Sequence, residues 1–318
     1  NRWKYQSKKF MTQFGVRGVY EELEAGQNSM TNENKLFKIG VQTKQFEAFS
    51  KTGFLFPEKK YKSIGIIQNF KYHEHLSDYG SKKFNAEQTS WYFNSIYQTI
   101  IGHTAHTVKF GGSMQYDLYD KNYNDSLFGR EEVVPGAFTE YTYTGNKSAL
   151  VLGLRGDYHN LYGAFVTPRV HYKYNFTQLS AWRISAGRGF RTANPFIENA
   201  GVMASARNVV TQNLQPEIAW NYGTSLTHNF ELWGKEMTFS TDYYYTDFEN
   251  QVVIDMENPN EIAFYNLDGK SFSHSFQTEL HLRITEQLEL RTAYKLYDIQ
   301  TDYKSGRKKK NLVPTEHL

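Results

Sequence analysis

Along residues 107–119, TVKFGGSMQYDLY, apolar and polar positions alternate with period two. Val108, Phe110, Met114, Tyr116 and Leu118 fall on one side; Thr107, Lys109, Ser113, Gln115 and Asp117 fall on the other. Residues 271–284 repeat the pattern, with Phe272, Phe276, Leu280, Leu282 and Ile284 against Ser271, Ser273, Ser275, Gln277, Glu279 and Arg283. In 10–21, Phe10, Phe14, Val16 and Tyr20 oppose Gln13, Arg17 and Glu21, and 150–158 and 288–297 behave likewise. Wound into a helix, each of these segments would carry charge on every face. They are predicted to be β-strands with one polar and one apolar face.

Strand length and the sorting of the connections separate a soluble sandwich from a membrane barrel. The segments run about 9–14 residues, enough to cross a bilayer at a tilt, whereas soluble strands average about 5–6. Short links at 57–60, 102–106, 145–147, 175–178 and 285–287 alternate with long ones near 77–87, 120–136, 188–216, 248–269 and 299–312. The link at 159–163 is shorter than its class. A barrel sorts its loops this way, with tight turns in the periplasm and long loops outside. The chain is therefore expected to be all-β, a transmembrane antiparallel barrel with about 13–14 strands present. Phe110 and Met114 should face lipid and Ser113 the lumen, so a lysine should be costly at 110 and mild at 113. Asn208 should lie outside the cell and Asn146 in the periplasm. Aromatic clusters at 91–93, 172–174 and 243–245 fit the interfacial girdles of such a wall.

Composition narrows the function. Aromatics reach 16%, with 24 Tyr and 23 Phe, and no run of 18 apolar residues offers a membrane helix. A net charge of +3 is too small to argue for nucleic acid. The absence of cysteine removes disulfides, thiol catalysis and Cys-bound zinc. The N-terminal NRWKYQSKKF has no Met, apolar core or cleavage site, and the C-terminal NLVPTEHL stops where a strand should begin. Residues 1–318 are expected to be part of one barrel domain cut from a longer protein.

The segment RISAGRGFRTANPFIEN, followed by NLQPEIAWNYGTSL at 213–226, resembles the barrel of TonB-dependent outer-membrane receptors. The resemblance rests on Gly189, Phe190, Arg191 and Pro195 at the end of an upward strand. It continues in Leu214, Pro216, Glu217, Trp220 and Asn221 at the start of the downward one. Residues 134–146 and 153–174 also look like the middle of such a barrel, so the similarity covers nearly the whole chain. It implies a 22-stranded barrel with a plugged lumen, in the outer membrane of a Gram-negative bacterium. The plug, the TonB box and the early and closing strands are not in this chain. The implied function is active uptake of a scarce solute, a ferric siderophore or related metal chelate being the first expectation. The implied partners are the TonB complex, that small extracellular ligand, and outer-membrane lipid with its lipopolysaccharide. No cofactor is implied. The alternative is a passive porin whose charged constriction sets selectivity; a barrel enzyme is a third reading. No HExxH, paired-Cys, P-loop or nucleophile motif is present to support catalysis.

Candidate ligand contacts follow from position in the long links. Arg188 and Arg191 flank Gly189-Phe190 and suit an anionic chelate, or else pair with carboxylates. Phe196, Tyr119, Tyr123, Phe128 and Tyr265 offer aromatic contacts, or else pack on one another. His73 and His75 share a strand face and are weak metal candidates; His103 and His106, in a tight turn, are weaker still. Arg307, Lys308, Lys309 and Lys310 form a solvated run that also suits outer-leaflet phosphates.

Overall fold

The structure is a computed structural model that describes residues 1–27, 37–205, 207–309 and 314–317. In chain order the elements begin with β1 (Arg2–Gln6), β2 (Phe10–Gly26), β3 (Lys38–Leu55), β4 (Ser63–Tyr79) and β5 (Lys82–Ile100). They continue with β6 (His106–Tyr123), β7 (Ser126–Thr144), β8 (Ser148–His159), β9 (Gly163–Asn175) and β10 (Ser180–Arg191). Two short helices follow, α1 (Pro195–Glu198) and α2 (Ala200–Met203), then β11 (Asn208–Thr211), β12 (Glu217–Leu232), β13 (Lys235–Asn250), β14 (Val252–Asp255) and β15 (Glu261–Asn266). The chain ends in β16 (Ser271–Arg283), β17 (Glu289–Tyr303), β18 (Gly306–Lys309) and β19 (Glu316–His317).

Sixteen of these strands form one sheet, in which the wall strands from β1 to β18 each pair antiparallel with the next, and β19 pairs with β17. Among the described residues β11, β14 and β15 leave the wall, to form a separate three-stranded sheet. The strands β2 to β10, β12, β13, β16 and β17 span 12–19 residues each. About 9–11 tilted residues cross the hydrocarbon layer, so the longer strands project beyond it. The short β1 borders one side of this set, while β18 and β19 both pair with β17 on the other.

Alternation places the two faces as expected. Phe110, Leu152, Leu154, Val166 and Ile184 are among the large apolar side chains exposed on the outer face, the one expected to meet lipid. Ser113, Asp117, Glu132 and Asp157 are buried on the opposite face. That lumenal wall is held by polar networks. Arg155 donates to Asp157 through Nε (2.7 Å) and Nη2 (2.5 Å), and Nη2 also reaches Ser113 Oγ at 2.7 Å. Gly136 lies in register with both Ser113 and Asp157. A Cβ there would sit 2.1 Å from Asp157 Oδ1, so only glycine lets the pair form across this strand. The expectation that lysine would be mild at Ser113 is therefore corrected, because it would thrust an ammonium against the Arg155 guanidinium.

Three of the expected long links are also corrected. Near 77–87, 120–136 and 299–312 the ladder continues to two-residue turns at 80–81, 124–125 and 304–305. Gly80 (φ 65°), Asn124 (φ 46°) and Asp125 (φ 67°) adopt the left-handed backbone that such turns need. Every residue of ladder satisfies backbone groups that a loop would leave to water, so the strands run on above the membrane. On the opposite rim, Trp233 (φ 52°) and Gly234 (φ 69°) make a tight turn between β12 and β13. The cluster at 243–245 divides by parity. Tyr243 and Tyr245 stack toward His274 on the outer face, whereas the Tyr244 ring covers Gly223.

Candidate ligand site beneath a loop cap

The connection after β10 crosses the mouth of the wall to reach β4–β7. Pro195 starts the single turn of α1, and the Asn194 N–H donates to Glu198 Oε1 at 2.9 Å. This turn presents Phe196 to an aromatic socket. Its ring centroid lies 5.5 Å from Phe84, 5.3 Å from Tyr123, 5.9 Å from Phe128 and 6.0 Å from Phe264. Tyr79, Phe84 and Phe196 form a buried apolar cluster with Val209 packed against it. Polar anchors surround the socket. Lys121 Nζ and Arg130 Nη2 both donate to Asn194 Oδ1, at 2.7 and 2.8 Å. Arg130 Nη1 reaches the Ala193 carbonyl at 3.3 Å, and Lys82 Nζ holds the carbonyls of Ser205 and Arg207.

The same connection is woven into the next. Strand β11 pairs in parallel with β15, which pairs antiparallel with β14. Val253, Ile262, Phe264 and Tyr265 are buried in this small sheet. Tyr265 OH donates to Asp255 Oδ2 at 2.9 Å, and burial together with that carboxylate pushes the phenol pKa up. A third loop joins through Lys308, which pairs with Glu257, and Ser305 Oγ, which donates to the same carboxylate at 2.5 Å. These two bonds hold the Glu257 carboxyl below its ordinary pKa. Three connections thus form one cap.

Beneath the cap is a cavity of about 630 Å³, bordered by Arg191, Glu198, Glu217, Gln251, Asp255 and Lys308 among others. Arg191 donates from Nε to Glu217 Oε2 at 2.7 Å, and its Nη1 lies 3.1 Å from Glu198 Oε2. The other Glu217 oxygen accepts the Val252 N–H at 3.1 Å, fixing the start of β14. Gln251 Oε1 is buried and has no hydrogen-bond partner among the described residues. Leaving such a group unpaired costs about 1–3 kcal/mol, and a donor on a bound solute would recover it.

The candidate residues scatter over this architecture. Arg191 borders the cavity. Arg188, three positions earlier, shares the outer face of β10 with Trp182 and Ile184. There it donates to Glu249 at 3.1 and 2.7 Å, and Trp220 Nε1 reaches the same carboxylate at 2.8 Å. Tyr123, Phe128 and Phe196 meet in the socket. The Tyr119 ring lies 4.8 Å from both the Lys121 ammonium and the Arg130 guanidinium. Tyr265 is under the cap. His75 is buried with Nε2 3.1 Å from Ser77 Oγ, and His73 Nδ1 has no hydrogen-bond partner among the described residues. His103 and His106 touch in their turn, and His106 Nδ1 lies 2.6 Å from Tyr141 OH. Among the described residues no three His, Cys, Asp or Glu side chains converge as metal ligands. Lys310 lies outside the described residues; Arg307 pairs with Asp302 at 2.5 Å. Sequence reasoning did not single out Lys82, Lys121, Arg130, Asn194 or Gln251, although Lys121 and Arg130 alternate with Tyr119, Tyr123 and Phe128 around one turn.

Comparison with known proteins agrees with this architecture. The family described as TonB dependent receptor-like, beta-barrel matches residues 4–315. The alcaligin outer-membrane receptor FauA of Bordetella pertussis superposes with a TM-score of 0.65 at 13% identity, covering 99% of this chain and 54% of the receptor. The outer-membrane transporter YddB of Escherichia coli gives 0.65 at 12%, over 95% and 47%. The siderophore receptor PirA of Pseudomonas aeruginosa gives 0.60 at 11%, over 95% and 62%. The chain thus spans about half the length of these structures, and no curated protein matches it by sequence. With its lipid-facing wall and its match along residues 4–315, the chain belongs to the TonB-dependent receptor β-barrel family of the outer membrane.

Proposed function

We propose that this wall belongs to a receptor that takes up a ferric siderophore or related metal chelate, driven by the TonB complex. The observation that carries the reading is the 630 Å³ cavity under a cap of three interlocked loops, bordered by charged groups and an unpaired amide oxygen. Such a site suits capture of a single polar solute more than bulk flow. A plug and a TonB box, outside this stretch, would complete the machine, and the wall residues break no bond of the cargo. The alcaligin and siderophore receptors among the similar structures support the chelate as cargo. A passive pore is the second reading, favoured by the inward course of residues 192–216, which would then act as a constriction.

The test is thermal unfolding of the full-length receptor against a panel of ferric chelates and their iron-free forms. One chelate at 100 times its Kd should stabilise the receptor by about 2.7 kcal/mol, and Arg191→Gln should reduce that shift. No stabilisation by any chelate would count against this cargo.

A further inference from the structure

Two cations converge on one neutral oxygen. Lys121 Nζ and Arg130 Nη2 both donate to Asn194 Oδ1, on a lumenal surface where the Tyr119 ring backs both cations. Arg130 has a carboxylate neighbour, with Nε 2.6 Å from Glu132 Oε1, and Glu132 also lies 3.6 Å from His159 Nε2. Among the described residues Lys121 makes no ion pair; its hydrogen-bond partner is the Asn194 carboxamide. Glu132 and Glu198 act on Lys121 only at longer range, so its one direct partner is neutral. A carboxamide oxygen is a weak partner for two cations, because hydrogen bonds in which both groups are charged are stronger. Next to the Tyr119 ring is a second cavity of about 350 Å³, bordered also by Glu132, Arg155, Asp157, Arg191 and Thr192.

We propose that Lys121 and Arg130 form a binding site for an oxyanion group of the incoming solute, and that Asn194 fills this site while the receptor is empty. Solute and loop then compete for the same two donors. An arriving oxyanion takes over the bonds to Lys121 and Arg130, and residues 192–216 lose their central polar anchor. Phe196, the bonds from Lys82, the Arg191–Glu198 pair and the β11–β15 ladder still hold the cap, so it loosens without unfolding. The inference rests on the uptake reading only in taking the solute as the source of the anion.

Because competition is the claim, removing the competitor should strengthen binding. The experiment is calorimetric titration of citrate, with glycerol as the uncharged control, into the detergent-purified full-length receptor. Asn194→Ala should bind citrate about tenfold or more tightly than the wild type, the factor by which a mostly occupied site lowers apparent affinity. Asn194→Asp supplies an internal carboxylate and should abolish citrate binding while leaving the receptor folded. Lys121→Met added to Asn194→Ala should reverse the gain, and glycerol should bind none of the variants. Citrate affinity that is unchanged or weaker in Asn194→Ala would overturn the proposal, as would a gain that survives Lys121→Met. Uptake does not enter this measurement, so failure here leaves the TonB-driven reading to its own test.

Discussion

Phe196 stacks on Phe84 with ring centroids 5.5 Å apart and planes 22° from parallel, joining the connection after β10 to a wall strand on the far side of the mouth. Both rings are buried. Neither ring is needed by the inter-strand ladder; Phe84 also packs on His75 of the wall, whereas Phe196 joins the cap to it.

Phe196→Ala should therefore release the cap and spare the barrel. Removing a buried phenylalanine costs about 3–5 kcal/mol, more than a surface connection ordinarily has in reserve. Limited proteolysis should cut residues 192–216 far faster in the variant, with the barrel's heat-resistant migration on gels unchanged. Equal cleavage rates would show that the socket does not hold the cap.

Gly136 should be among the least replaceable residues of the lumenal wall. Gly136→Ala places a methyl 2.1 Å from Asp157 Oδ1 and 2.8 Å from Arg155 Nη2. Separating that buried pair should cost about 1–3 kcal/mol in reversible refolding into lipid. Gly156→Ala, where a Cβ would meet nothing within 4 Å, is the control and should change little. Ser113→Lys should be as harmful as Gly136→Ala, for it brings a second cation to Arg155.

On the outer face the cost comes from lipid. Phe110 is 48% exposed, and Phe110→Lys near the bilayer midplane should cost about 2–4 kcal/mol. A loss no larger than that of Phe110→Ala would contradict the assignment of faces.

Orientation is open to labelling on intact cells. Asn208 begins β11 and pairs with Glu261, so an epitope there would disturb the cap. The turn at Leu161, half exposed, takes its place. Antibody should reach a tag at Leu161 and miss one at Asn146; the reverse would invert the topology.

The wall was legible in the sequence because each face of a strand meets a uniform medium. Lipid selects Phe110, Met114 and Leu118, and the lumen selects Ser113, Gln115 and Asp117, so period two shows through. Parity also separates Arg188 from Arg191, since an odd spacing puts them on opposite faces of a regular strand. Nearness to Gly189-Phe190 in sequence therefore does not bring the two guanidinium groups together. The cap was not legible, because Phe196, Asn194 and Lys82 meet partners far away in sequence and no local period records such contacts. The turns at 80–81 and 124–125 were hidden for another reason. Above the membrane both faces of a hairpin meet water, the alternation fades, and a continuing ladder reads as a loop.

We propose that this wall frames an active uptake path closed at rest. The most direct test is uptake of a radiolabelled ferric chelate, chosen by thermal stabilisation, in cells with and without TonB. Surface binding should be equal in the two strains, because the cap and cavity need no energy to form. Accumulation inside should require both TonB and the proton-motive force. Full-rate accumulation without TonB would contradict the account and make residues 192–216 the constriction of a passive pore.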